Sequence, residues 1–298
     1  MSFSREAKAE LCRLPISDAF CALAESYGAL LFCNRFSGGV IRLVTESEPF
    51  AQRLPLLFHA AFGVSFDQIP TGESGKFVFL LTGKPAIRRI YDALGLDWPG
   101  AVSYHLNFAV LENDCCRASF LRGAFLAGGS VTDPKKRYHL ELATGHNNIT
   151  RELAALLRDG DFSPKATMRA GNHLTYFKHS ESIEDFLTTI GAPVAAMEVM
   201  TAKVEKSIRG STNRRVNCDA ANLDKTVEAA QEQIAAIRRL DKTKGLTSLP
   251  DRLHQTALLR IENPELNLSQ LAELCDPPIT KSALSHRLRK ILQLSEQD

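Results

Sequence analysis

With 298 residues, the chain is too long for one typical domain and suits two. Its apolar share of 44% is ordinary for a globular protein, and a formal net charge of +2 says little, so where the basic residues cluster matters more than their sum. No apolar run approaches the roughly 20 residues that span a bilayer, and Met1 to Leu14 carries charges where a signal peptide needs an apolar segment, so a cytoplasmic protein without membrane contact is expected.

The seven cysteines are odd in number and include no C-x-x-C pair, which argues against a disulfide framework and a zinc ribbon. Most of them read as small core residues.

Ser17 to Asn34 reads as a long helix, with Phe20, Leu23, Ala24, Tyr27, Leu30 and Leu31 on one side and Gly28-Ala29 as a small surface. Val40 to Val44 is strand-like and Gln52 to Phe62 is a second helix. Val64 to Ile69 and Lys76 to Leu81 suggest a hairpin, and Pro85 to Leu94 a closing helix. The order then returns: helix Cys115 to Ala127, hairpin Val131 to Leu142, helix Ile149 to Arg158, hairpin Phe162 to Phe177, helix Ile183 to Thr189. Gly95 and Gly191 follow the two closing helices in equivalent places. A repeat of roughly 95 residues is too long for a solenoid unit and implies two pseudo-symmetric halves paired through the Ser17–Asn34 and Cys115–Ala127 helices.

In the second of these helices Phe120, Gly123, Ala124 and Ala127 recur at helical spacing, a face that lets another backbone come close. Gly128-Gly129 is expected to end it through a left-handed turn. Asp133-Pro134 reads as a hairpin tip beside Lys135, Lys136 and Arg137.

From Met200 to Asp224 the character changes. Lys203, Lys206, Arg209, Arg214 and Arg215 surround Gly210-Ser211-Thr212-Asn213, and the segment reads as a basic tether able to contact phosphate without reading sequence. Val227, Ile234, Ile237 and Leu240 then suggest an amphipathic helix, and Leu249, Leu253, Ala257 and Ile261 another. Asn267 followed by Gln270 is a capping-box pattern, Cys275-Asp276-Pro277-Pro278 breaks that short helix, and Thr280 caps a basic one. Short helix, tight turn and basic helix make a helix-turn-helix. In the basic helix Leu284, Leu288 and Ile291 face a core. Ser282, His286, Arg289 and Lys290 lie opposite, Ser285 and Arg287 on the flanks, and Lys281 at the start, a set suited to base edges and phosphates of double-stranded DNA.

Leu121 to Gly129, LRGAFLAGG, resembles a worn LAGLIDADG motif, the paired helix of homing endonucleases. From Ser2-Phe3-Ser4 through SFLRGAFLAGGSVTDPKKRYHLE to PPITKSALSHRLRKI, nearly the whole chain is similar to the WhiA family of sporulation and cell-division regulators. The resemblance implies an α+β, pseudo-two-fold LAGLIDADG-like domain over 1–200, the tether over 201–222, and an all-α helix-turn-helix domain over 223–298 that looks like the promoter-reading domain of sigma factors. It also implies a regulator without nuclease chemistry. Homing endonucleases hold divalent metals with an acidic residue at the end of each motif helix, and those positions fall here at Gly128 and Asn34, neither of which supplies a carboxylate. The competing reading is a metal-dependent site-specific DNA endonuclease or an RNA maturase.

No metal and no cofactor is expected. Candidate protein partners are an RNA polymerase sigma factor or another transcription regulator, the place of work is the nucleoid, and internal pseudo-symmetry removes the need for a dimer, so a monomer is expected. Lys165 and Arg169 on the second hairpin are further candidates for touching DNA. Thr71-Gly-Glu-Ser-Gly-Lys76 resembles a phosphate loop but runs into the strand-like Phe77-Val-Phe-Leu-Leu, where a helix is required. His139, His146, His173 and His179 lack metal-ligand spacing.

Overall fold

Alternating and helical apolar spacings take turns through the first two-thirds of the chain, and the secondary structure follows those changes. The computed structural model describes residues 2–16, 18–68, 75–98 and 103–296. Packing divides the chain into two units, Met1–Ser207 and Ile208–Asp298.

The first unit begins with α1 (Phe3–Cys12) and α2 (Ala19–Leu31), then β1 (Arg35–Ser37), β2 (Val40–Thr45), α3 (Glu48–Phe62), β3 (Phe77–Leu81) and α4 (Lys84–Leu94). Its second half runs α5 (Asp114–Gly128), β4 (Gly129–Val131), β5 (Leu140–Thr144), α6 (Asn147–Asp159), β6 (Lys165–Arg169), β7 (Asn172–Phe177) and α7 (Ser180–Ile190). A long helix α8 (Pro193–Thr243) starts in this unit and enters the second, which continues with α9 (Asp251–Glu262), α10 (Leu268–Glu273) and α11 (Lys281–Glu296).

Each half of the first unit contributes an antiparallel sheet, ordered β1-β2-β3 in one and β4-β5-β7-β6 in the other. Leu43 faces Phe79 across the first sheet, and Leu140 faces Phe177 across the second. The central strands alternate buried and more exposed positions, so each sheet presents one apolar face to the helices.

Between the halves α2 and α5 lie side by side and run in the same direction, with their backbones in contact. A Cβ on Gly28 would meet the Phe120 carbonyl oxygen, and one on Gly123 would meet the carbonyl oxygen of Glu25. The small residues of both helices thus permit a separation that any side chain at these two positions would prevent. Tyr27 and Phe120 close the contact with ring centroids 5.6 Å apart.

A buried charge cluster is fastened across the same pair. Glu25, only 2% exposed, accepts from Arg53 Nε at 2.7 Å and Arg53 Nη2 at 2.9 Å, and its Oε2 also accepts from Arg122 Nη1 at 3.2 Å. Arg53 comes from α3 and Arg122 from α5, and Arg122 also donates to the Ile190 carbonyl at the end of α7. A paired, hydrogen-bonded carboxylate is the form in which a buried charge is tolerated.

Several expectations change. Phe20 is 75% exposed and lies off the buried face of α2, and Ser17 lies outside the described residues. Of Val64 to Ile69, only Gln68 makes a bridge, to Leu80; Ile69 lies outside the described residues. Beside that bridge the Asp67 carboxylate accepts from the Thr82 and Gly83 amides. Thr71 to Ser74 of the phosphate-loop look-alike also lie outside the described residues, and Phe77 opens a strand. Gly129 is extended at φ −91° rather than left-handed, so α5 passes directly into β4. Gly128 is small for another reason, since a Cβ there would strike the Ala143 carbonyl oxygen. Gly95 and Gly191 do adopt left-handed caps, at φ 62° and 96°.

Residues 201–222, expected as a tether, are helical. Between Val194 and Thr243 there is no proline and one glycine, Gly210, while Ala, Glu, Gln, Lys and Arg dominate, so nothing interrupts the helix. The Glu10 carboxylate of α1 caps its start by accepting from the Val194 and Ala195 amides at 2.8 and 3.0 Å. Val227 is also exposed instead of core-facing; Ile237 and Leu240 carry the buried face.

Two glycine substitutions should therefore move stability in opposite directions. Gly123→Ala forces a methyl group into the α2 backbone and should destabilise by about 1–3 kcal/mol or more. Gly210→Ala, where a Cβ meets nothing closer than Arg214 Nη1 at 3.8 Å, should stabilise its unit. Its helix gains about 0.5–1 kcal/mol. Thermal unfolding of both variants by circular dichroism checks the signs.

Candidate nucleic-acid interface

The second unit orients one basic face by burying the opposite side. Asn267 Oδ1 accepts from the amides of Ser269 and Gln270 at 2.9 and 3.1 Å, while Gln270 Oε1 accepts from the Asn267 amide at 3.1 Å, which completes the capping box of α10. The turn that follows is tied back by the Ile279 amide donating to the Ala272 carbonyl, and Thr280 Oγ1 accepts from the Ala283 amide to start α11. Leu284, Leu288 and Ile291 pack with Leu271, Ala272, Ala257 and Leu253.

That packing leaves Lys281, Ser282, His286, Arg289 and Lys290 exposed on α11, with Ser285 and Arg287 half-buried beside them. Before Glu296 the helix contains no carboxylate. A helix with long cations, a hydroxyl and an imidazole on one face fits a major groove, where it can donate to guanine and accept or donate elsewhere.

The other basic candidates separate. Arg209, Arg214 and Arg215 are exposed on α8 and lie in the second unit. Lys203 and Lys206 lie in the first unit and are engaged there. Lys203 Nζ is 2.6 Å from Glu181 Oε1, which holds the Glu181 carboxyl down at about 2, and Lys206 sits 4.3 Å from the Tyr138 ring centroid and donates to the Lys136 carbonyl. Lys135, Lys136 and Arg137 are exposed on the β4–β5 loop, whose turn is set by Asp133 Oδ1 accepting from the Lys135 amide. Lys165 is exposed on β6, whereas Arg169 pairs with Glu141 at 2.6 Å.

A cleft of about 420 Å³ lies where α2 and α5 end. It is lined by Asn34, Arg35, Gly128, Thr144, His146 and Asn172 among others, and no carboxylate is in the lining. Asn34 Oδ1 already accepts from the Val44 amide at 2.8 Å, and Thr144 Oγ1 donates to the Leu31 carbonyl at 2.7 Å. The donor set present does not fit a pair of divalent metals, which require negatively charged oxygen ligands near phosphate. Burial, with the nearby His173, lowers the His146 pKa and so favours its neutral ring.

Sequence reading missed the positioning groups Lys8, Glu10, Glu25, Arg53 and Arg122. Lys8 donates to the Leu126 carbonyl near the end of α5, and burial lowers its pKa to about 8. A charged residue inside an otherwise apolar helix face, as at Glu25, is the signal that was available.

Two family models match the chain: the WhiA LAGLIDADG-like domain over residues 117–209 and the WhiA C-terminal HTH domain over residues 212–295. A probable cell division protein WhiA of Ruminiclostridium cellulolyticum is 37% identical, over 100% of this chain and 98% of its own length. The protein of the same description from Staphylococcus aureus strain Newman is 34% identical, over 100% and 97%. Among solved structures, full-length DUF199/WhiA from Thermatoga maritima is similar in fold over 100% of this chain and 99% of its own, with 24% identity and a TM-score of 0.61.

The depressed His146 pKa carries a pH consequence. Between its folded value and the ordinary unfolded value of about 6.5, the unfolded chain binds more protons. Stability from this group is therefore full above that window and is lost as pH falls through it. Proton NMR should find His146 titrating below the ordinary value of about 6.5, and His146→Gln should flatten the loss of stability between neutral and mildly acidic pH.

Proposed function

The chain belongs to the WhiA family, and from that premise we propose that it is a sequence-specific, DNA-binding transcription regulator of cell-division and sporulation type that does not cut DNA. The observation that carries the reading is the α11 face, five exposed polar or basic residues with no carboxylate among them, held outward by Leu284, Leu288 and Ile291. His286 and Arg289 read base edges, Lys281, Ser282, Ser285, Arg287 and Lys290 support the docked helix, and Arg209, Arg214 and Arg215 contact phosphates. Lys203 and Lys206 hold α8 against the first unit, a role supported by their pairing with Glu181 and Tyr138. Lys135, Lys136 and Arg137 remain available to a phosphate backbone. The protein works at the nucleoid as a monomer, and its protein partner is an RNA polymerase sigma factor or another transcription regulator.

The endonuclease and maturase alternative is disfavoured by the cleft, whose lining supplies no carboxylate at Gly128 or Asn34. Supercoiled plasmid incubated with purified protein and Mg²⁺ or Mn²⁺ should stay uncut. Metal-dependent nicking that disappears in Asn34→Ala would overturn this part of the reading.

Chromatin immunoprecipitation with sequencing should return a shared short motif, which then serves in binding titrations. His286→Ala or Arg289→Ala should each cost about 1–3 kcal/mol on the motif and little on random duplex. Arg214→Ala with Arg215→Ala should weaken both duplexes alike and lower the slope of log K against log salt by roughly one unit per lost contact. Equal losses on motif and random DNA for both sets would sink the division of roles.

A further inference from the structure

At the end of the α2–α5 pair opposite the cleft, three cysteines from distant parts of the sequence converge. Cys21 stands third in α2, and Cys115 and Cys116 second and third in α5. Their sulfurs all lie within 4.8 Å of one another. Cys21 and Cys116 are buried while Cys115 is exposed, so the cluster is walled on one side and open on the other. Burial, with the neighbouring Cys115 and Cys21 thiols, pushes the Cys116 thiol up to about 12.

We propose that Cys21, Cys115 and Cys116 form a three-sulfur site for one thiophilic d¹⁰ cation, Zn²⁺ or Cu⁺. An ion centred among three sulfurs no more than 4.8 Å apart lies at most about 2.8 Å from each. Contraction by about 0.5 Å reaches the ordinary metal–thiolate distance of about 2.3 Å. Rotation about the side-chain bonds of an exposed and two first-turn cysteines supplies such a shift without moving backbone. All-sulfur ligation selects soft ions over Mg²⁺ or Ca²⁺.

Binding breaks three S–H bonds, forms three metal–sulfur bonds and releases three protons to solvent. The resulting complex carries net negative charge, which the positive ends of the α2 and α5 dipoles offset against the carboxylates of Asp18, which caps α2, and Asp114, which opens α5. The Cys116 thiol's reluctance to ionise while bare reflects burial and the neighbouring sulfurs, and a bound cation favours its thiolate. A Zn²⁺ ion would keep its fourth position toward solvent on the Cys115 side, and Cu⁺ would be complete with three sulfurs. The site would cross-link the starting ends of the two core helices, beyond any contact the DNA-binding reading requires.

The test uses the reduced, metal-free full-length protein. Titration with Co²⁺ as spectroscopic probe should give a thiolate-to-metal charge-transfer band that saturates at one equivalent, and added Zn²⁺, or Cu⁺ under anaerobic conditions, should displace it. Whichever displaces at lower concentration identifies the preferred ion. The melting temperature of the first transition should rise on binding. Cys115→Ser, at an exposed position expected to leave the fold intact, and Cys116→Ser should each abolish the saturating band, whereas Cys218→Ser, exposed in the other unit, should leave it unchanged. Absence of a band and of a melting shift with all three ions would overturn the proposal. So would a band that survives in Cys115→Ser, or a mass loss of two protons in air with no metal uptake, which would mark a disulfide instead.

Discussion

Backbone contact between α2 and α5 is the constraint from which the rest of the first unit follows. With no Cβ at Gly28 or Gly123, each helix sets its turns against the other's carbonyls. Because the helices run the same way, β1 leaves α2 and β4 leaves α5 at a common end, and two sheets grow outward from there. The cleft at that end and the cysteines at the other are both products of this one pairing. A larger residue at either glycine changes the helix separation, and with it the spacing of both sites.

Charge fixes what the small residues only allow. Apolar burial is non-directional, whereas Glu25 must meet both Arg53 and Arg122, as it does in this register. A buried ion pair adds little net stability over good apolar packing, yet removing one member leaves a charge stranded. The cluster therefore acts as a register pin across α2, α3 and α5 and the end of α7. Helix α1 adds two further pins, with Lys8 on a carbonyl near the end of α5 and Glu10 on the amides at the start of α8.

In the second unit the helix-turn-helix depends on two caps and a narrow apolar seam. Asn267 starts α10 and Thr280 starts α11, and Leu284 and Leu288 fix which face of α11 turns outward. The basic residues on that face are exposed because burying them would leave their charges unpaired. Elsewhere, similar cations are committed already. Lys203 and Arg169 carry carboxylate partners, and those pairings were invisible in a count of basic residues.

How much could be read from the residues alone depended on the range of the interaction. Helix periodicity, the repeated order of elements, the capping box and the Leu284–Ile291 seam are local patterns, and each was legible because neighbours three or four apart in sequence are neighbours in space. The resemblance at LRGAFLAGG drew on the same short-range information. In residues 201–222 Gly, Ser and Asn weigh against a helix locally, while the long uninterrupted run and its Glu10 cap outweigh them. Only the tertiary structure decided that Gln68 bridges to Leu80, that Glu25 meets Arg53 and Arg122, that Lys206 lies over Tyr138, and that Cys21 lies beside Cys115 and Cys116. Those outcomes join segments far apart in the chain, so they depend on how closely α2 and α5 approach and on where each sheet is hung, quantities that no window of sequence contains.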